Sequence, residues 1–176
     1  ILSTFLENSD SPEIMIQKSL TNAHNNVVKA STNNIGTTVT LVYFEEGIAY
    51  AAWCGDSRIY QFRDYAIEWM SRDHNILHDI LNKGHSRGDI FQNPQAITRF
   101  LGRIGNHKPD IHKFYVDTND KILLCSDGLH GFVVEPDIVQ TITKFSINKA
   151  NDILENKLLS EKLGAPDNFT WYIISI

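Results

Sequence analysis

The chain has no basic cluster: 16 Lys and Arg stand against 21 Asp and Glu, for a net charge of −5. That balance excludes the electrostatic footprint of a nucleic-acid binder. No apolar run approaches the ~20 residues that a membrane helix needs. No signal-peptide pattern opens the sequence either, and the expected location is cytoplasmic. Cysteine is scarce. Cys54 and Cys125 both lie inside apolar, strand-like runs without C-x-x-C spacing, so they read as reduced core thiols rather than a disulfide framework. Internal repeats, low-complexity tracts and linkers are missing as well, and the 176 residues have the length of one domain with room for a proper core. The initiator Met is also absent. The chain starts at Ile1, and residues 1–6 read as the tail of an element that begins earlier.

What is present centres on Lys121-Ile122-Leu123-Leu124-Cys125-Ser126-Asp127-Gly128. The apolar run from Ile122 to Cys125 fits a strand buried on both faces, because a surface strand would alternate. A run this short also suits a buried helix. The bracketing turn residues, Asn119-Asp120 and Asp127-Gly128, favour strand. Such a strand delivers a carboxylate at its end, a common way to fix a metal ligand or a catalytic acid, although Asp-Gly is equally a plain turn.

Around that stretch the periodicity predicts an amphipathic helix over 12–31, capped by Ser11, with Ile16, Leu20, Ala23, Val27 and Ala30 on one face. From Gly36 the pattern turns to β. Strands are predicted over 37–44, 48–54, 59–63 and 66–70 as one antiparallel meander joined by short turns. A helix over 74–83 stopped by Gly84, an irregular segment over 85–95 and a strand over 96–101 follow. A strand over 112–116 leads by a hairpin into the central one. Two helices come next: one from Glu135 with Ile138, Ile142 and Phe145 on its face, one from Asn148 with Ala150, Ile153, Leu154 and Leu158. A closing strand spans 169–176. The fold class is α+β, with helices outside antiparallel sheets.

Asp56, Asp127 and Asp167 each abut a predicted apolar strand. Converging carboxylates repel and need a cation, and all-oxygen ligation selects Mg²⁺ or Mn²⁺ over zinc. From spacing alone, three unrelated turn aspartates are the simpler account. Other candidates are weaker. His74 and His78 have a zinc-compatible spacing of four on a predicted helix but no following Glu and no third ligand. Ser126 lacks a nucleophile elbow. Arg58 and Arg99 are candidates for phosphate contact, with an ordinary salt bridge the plainer role for each. Trp53, Trp69 and Trp171 lie in strands and read as packing residues.

In order along the chain stand Gly36-Thr37-Thr38, Gly55-Asp56-Ser57-Arg58-Ile59-Tyr60, Asp73-His74, Ile97-Thr98-Arg99-Phe100-Leu101-Gly102, Leu124-Cys125-Ser126-Asp127-Gly128-Leu129 and Asp167-Asn168-Phe169-Thr170. From about Ile35 to the end the sequence resembles the type 2C (metal-dependent, PPM) serine/threonine protein phosphatases in their compact bacterial form. The resemblance implies an α/β/β/α sandwich of two antiparallel sheets flanked by helices, with the N-terminal part absent. It implies hydrolysis of phosphoserine and phosphothreonine by a metal-activated water, with two or three Mn²⁺ or Mg²⁺ ions. Asp127 matches the metal ligand after the central strand, and Asp167 matches the second terminal ligand of that metal. Asp56 matches the residue that, with the counterpart of Asp127, holds a third ion. Asp73 and His74 match a common pair read as structural, Arg58 and Asn168 as phosphate or structural support. Residues 75–95 fall where relatives carry a flap-like segment. The implied partners are phosphorylated proteins and a cognate serine/threonine kinase system, with no nucleic acid and no membrane.

The resemblance also has a gap. The family's phosphate-binding Arg, its Asn-Glu-Asp-like motif and its bridging Asp do not stand before Gly36, where the only carboxylates are Glu7, Asp10 and Glu13. A truncated phosphatase, a chain completed by a second chain, and a catalytically inactive domain that binds a phosphoprotein or regulatory partner are the three accounts. As it stands, the chain is expected to be inactive or severely impaired.

Overall fold

The computed structural model describes residues 10–30, 35–82, 93–105, 107–160 and 164–176. They form an α+β fold with two antiparallel sheets flanked by helices. The chain divides into two compact units, one of residues 1–56 and 72–114, the other of residues 57–71 and 115–176.

In the first unit, helix α1 (Pro12–Ala30) begins where the Met15 N–H reaches the Ser11 carbonyl at 3.0 Å. Strands β1 (Val39–Glu45) and β2 (Ile48–Cys54) pair antiparallel through the two-residue turn Glu46-Gly47. Both turn residues have positive φ, 49° and 76°, the backbone twist that suits a tight hairpin. Strand β5 (Asp110–Tyr115) adds to β2, giving the order β1-β2-β5. One face of this sheet presents Val39, Leu41, Tyr43, Ile48, Tyr50, Ala52 and Ile111 to Ile16 and Leu20 of α1. Full burial of each of those two helix residues stabilises by roughly 1.5–3 kcal/mol. The expected helix stripe continues differently: after Leu20 the buried position is His24, Val27 is half-buried and Ala30 exposed. His24 is retained inside because its Nδ1 accepts from the Gly102 N–H at 3.1 Å while its ring stacks on His107, centroids 3.4 Å apart. Short helix α2 (Ile76–Asn82) completes the unit. It starts after His74, so His74 and His78 do not share a helix face. The expected stop at Gly84 and residues 83–92 of the flap-like segment lie outside the described residues.

In the second unit, strands β3 (Arg58–Arg63), β4 (Ala66–Met70), β6 (Lys121–Cys125) and β7 (Trp171–Ser175) form a sheet in the order β4-β3-β6-β7. Strand β6 is central, as its unbroken apolar run requires: Ile122, Leu123 and Cys125 are buried. Tyr60, Phe62, Leu123 and Cys125 line one face. That face meets Leu129 of the helical turn α3 (Asp127–His130), Ile138 and Ile142 of α4 (Glu135–Lys144), and Ala150, Leu154 and Leu158 of α5 (Ile147–Leu158). Phe145 departs from the expected stripe. It ends α4 in an extended conformation and is 39% exposed, while the Lys121 amine donates to its carbonyl and to that of Ile142, both at 2.7 Å. Asp120 is buried at the foot of the sheet. It accepts from Arg63 Nε and Nη2 at 2.9 and 2.7 Å, from Gln61 Nε2 at 2.9 Å and from the Asp117 N–H at 3.0 Å.

Three sequence expectations are corrected. The four strands after Gly36 are not one meander, because β2 pairs with β1 and β5 whereas β3 pairs with β4 and β6. Likewise β5 and β6 are not a hairpin: they belong to different sheets. Residues 96–101 form no strand. Ile97 bridges Asn75 and Leu101 bridges Thr37, so the segment's two ends pair with different stretches of chain.

Candidate active site

In the second unit the carboxylates of interest are set by the β6–β7 register. Cys125 faces Trp171, and one step further the Ser126 N–H donates to the Thr170 carbonyl at 2.9 Å while the Thr170 N–H donates to Ser126 Oγ at 3.1 Å. The two chains then run on against each other. A Cβ built on Gly128 would lie 2.2 Å from the Asn168 carbonyl oxygen, closer than real Cβ atoms come to anything. Only glycine permits this approach. Asp127 and Asp167, each one residue before this contact, are thereby carried to the same end of the sheet, and both are exposed. Asp167 Oδ1 accepts from the Asn168 N–H at 2.7 Å, which fixes its rotamer. An open cleft of about 660 Å³ runs along Ala165 to Thr170. A separate cleft, lined by Phe62 to Tyr65 with Asn119, Lys121 and Thr143, lies at the opposite end of this sheet, remote from Asp127. Arg58, expected as phosphate or structural support, starts β3 and donates from Nη1 to the Tyr60 hydroxyl at 3.2 Å.

In the first unit Asp56 follows β2 directly and is half-buried. Gly55 before it has φ +124°, and a Cβ there would meet Thr38 Cγ2 at 2.4 Å, so the glycine is needed both for conformation and for space. Its N–H donates to His74 Nδ1 at 3.1 Å and its carbonyl accepts the His74 N–H at 2.9 Å. Because Nδ1 accepts, the ring proton sits on Nε2, which donates to Asp110 Oδ2 at 3.1 Å. Arg99 grips Asp110 through Nη1 at 2.9 Å and Nη2 at 3.3 Å. The hydrogen bond from His74 and then the Arg99 guanidinium hold the Asp110 carboxyl well below the usual carboxylate range. Arg99 is therefore engaged in a salt bridge, and His74 links the Gly55 main chain to Asp110. Asp73 is buried, with the Asn75 amide 3.5 Å from its carboxylate. Cys54 and Cys125 are free and buried, and burial pushes the Cys54 thiol up to about 11. Asp110 and Asp120 are the charged residues sequence reading missed. Asp110 lies 36 positions from His74, and no local pattern announces the pair.

Asp127 and Asp167 offer only oxygen donors on a glycine-dependent cradle, which fits a hard divalent cation. They supply part of a ligand set: among the described residues no group of three or more His, Cys, Asp and Glu is arranged to hold a metal ion. No helix among those residues is long and apolar enough to cross a membrane.

The family model for Protein phosphatase 2C matches residues 2–80. The serine/threonine phosphatase stp of Listeria monocytogenes serotype 4b (strain F2365) is 26% identical over 181 residues, covering 98% of this chain and 71% of the relative. Among solved structures, the PPM Ser-Thr phosphatase MsPP from Mycobacterium smegmatis, in complex with cacodylate, superposes with a TM-score of 0.76 at 26% identity, covering 99% of this chain and 77% of that one. The catalytic domain of the serine/threonine protein phosphatase PstP, in complex with 2 manganese ions, shares the fold with a TM-score of 0.78 at 19% identity, covering 98% and 76%. A common fold over nearly the whole chain, a family match over residues 2–80 and relatives named for one activity agree: the chain is similar in sequence and fold to the type 2C (PPM) serine/threonine protein phosphatases.

Proposed function

We propose that the chain is a type 2C serine/threonine protein phosphatase that hydrolyses phosphoserine and phosphothreonine in proteins with Mn²⁺ or Mg²⁺, held in part by Asp127 and Asp167, with Asp56 a ligand to a further ion. The observation that carries the reading is the β6–β7 end, where the Ser126–Thr170 bonds and the Gly128–Asn168 contact carry two exposed carboxylates to one end of the sheet, with an open cleft along the Asp167 side. Bound there, such ions activate water at neutral pH and offset charge on the phosphoryl oxygens. The chain's own part is geometric. Asn168 orients Asp167, Ser126 and Thr170 lock the strand ends, and the cleft along Ala165 to Thr170 admits the phosphorylated side chain. The manganese in the PstP structure supports the choice of ion by analogy. The products of serine/threonine kinases are the matching substrates, and the cytoplasm is the matching compartment.

Asp127→Asn removes a charge without changing shape. In the intact protein, manganese-dependent turnover of a phosphothreonine peptide is expected to fall at least about a hundredfold, with melting temperature nearly unchanged. Turnover within twofold of the parent would sink the assignment.

A further inference from the structure

We propose that His74 is a positioning residue for the cation ligand Asp56, acting through Gly55; this rests on the reading of Asp56 as a ligand. Both main-chain polar groups of Gly55 are directed at one residue. Its N–H meets His74 Nδ1 at 3.1 Å, and its carbonyl meets the His74 N–H at 2.9 Å. His74 therefore holds both peptide units that flank the Gly55 Cα, the second of which leads directly into Asp56. The clamp is itself immobilised. His74 is 2% exposed, its Nε2 donates to Asp110 at 3.1 Å, and Asp110 is held from behind by two Arg99 nitrogens. The Trp53 ring lies roughly parallel to the imidazole, centroids 6.0 Å apart, and its Nε1 donates to the Arg72 carbonyl at 2.8 Å. The Thr98 N–H fixes the His74 carbonyl at 2.7 Å. A packing histidine would need none of this directionality. Here the acceptor nitrogen faces the residue before the carboxylate, and the donor nitrogen faces the brace. Ligand geometry held by a rigid supporting shell is what sets ion affinity.

Two substitutions separate the roles of the ring nitrogens. His74→Asn keeps an acceptor where Nδ1 stands but cannot reach Asp110, whereas His74→Gln keeps a donor near Nε2 and loses the acceptor. The probe is Mn²⁺ alone, titrated into the intact protein by calorimetry, together with exchange of the Gly55 amide measured without metal. Asp56→Asn identifies which ion depends on Asp56. His74→Gln is expected to weaken that ion at least tenfold and to speed Gly55 exchange by a similar factor, while His74→Asn stays within threefold of the parent. Equal loss in both variants, or a greater loss in His74→Asn, overturns the proposal. So does a change in melting temperature in both variants without a change in ion affinity, the signature of a merely structural histidine. If Asp56→Asn leaves every manganese site intact, the ligand reading itself fails and takes the proposal with it. In that case Gly55 exchange still responds to His74→Gln, which tells the two failures apart.

Discussion

The protein holds its strand-end carboxylates in two physically different ways. At Gly55-Asp56 the restraint comes from side chains: an imidazole, a carboxylate and a guanidinium in series. At Asp127 and Asp167 it comes mainly from main chain, through the bond from the Ser126 N–H to the Thr170 carbonyl and the bare backbone contact of Gly128 with Asn168, with the Ser126 hydroxyl adding one side-chain bond. A side-chain brace can be dismantled one atom at a time and answers to protonation. A main-chain brace is indifferent to charge but intolerant of a single added carbon.

The difference is sharpest at Gly128. Gly128→Ala pushes a methyl group to 2.2 Å from a backbone oxygen that cannot swing aside. Overpacking of this kind costs about 3 kcal/mol and must separate the two strand ends. Chemical denaturation is expected to show that loss, and turnover to fall with it; unchanged stability would mean that the strand ends are not held by this contact. The next effect is acid sensitivity, which should be confined to the side-chain brace. Asp110 titrates well below its ordinary value of 3.8 because of His74 and Arg99, so its contribution is complete above that value and is lost as the pH falls through the lowered folded value. Protection of the Gly55 amide, taken relative to its intrinsic exchange rate, should therefore persist at pH 4 and disappear in stronger acid. Asp110→Asn should lower that protection and make it independent of pH. Smallest is Ser126→Ala. It deletes the bond from the Thr170 N–H to Ser126 Oγ but leaves the Ser126 N–H to Thr170 carbonyl bond, so a loss of about 1 kcal/mol by denaturation is expected.

The same division governs what could be read from the residues. Strand identities were legible because β-branched and apolar runs stop at turn residues, and α1, α4 and α5 because their apolar positions recur at helical spacing. Asp127 and Asp167 were legible as strand-end carboxylates. Sheet membership was not. The three residues Gly55-Asp56-Ser57 are short enough for a hairpin, yet they connect strands of separate sheets, a choice made by distant partners such as Thr38 and His74. The segment around Ile97 to Leu101 misled for a related reason. Its composition suits a strand, but Ile97 and Leu101 each find one bridging partner, and those partners belong to different parts of the chain. Asp110 and Asp120 were missed because their importance lies in which distant side chains they meet, and sequence spacing carries no trace of that.

The pairing of His24 with His107 turns helix α1 into something acidity can loosen. Nδ1 of His24 has room for a lone pair facing the Gly102 N–H and none for a proton, and a charged imidazole would press against the ring stacked on it. Burial, then the neighbouring His107, keep the His24 imidazole below its usual 6.5. The unfolded chain takes up that proton first, so docking of α1 is at full strength above about 6.5 and weakens as the pH drops below it. Protection of the Pro12–Ala30 amides, taken relative to their intrinsic exchange rates, should fall between pH 7.5 and 5.5, and His24→Asn, which keeps an acceptor for Gly102, should abolish that fall.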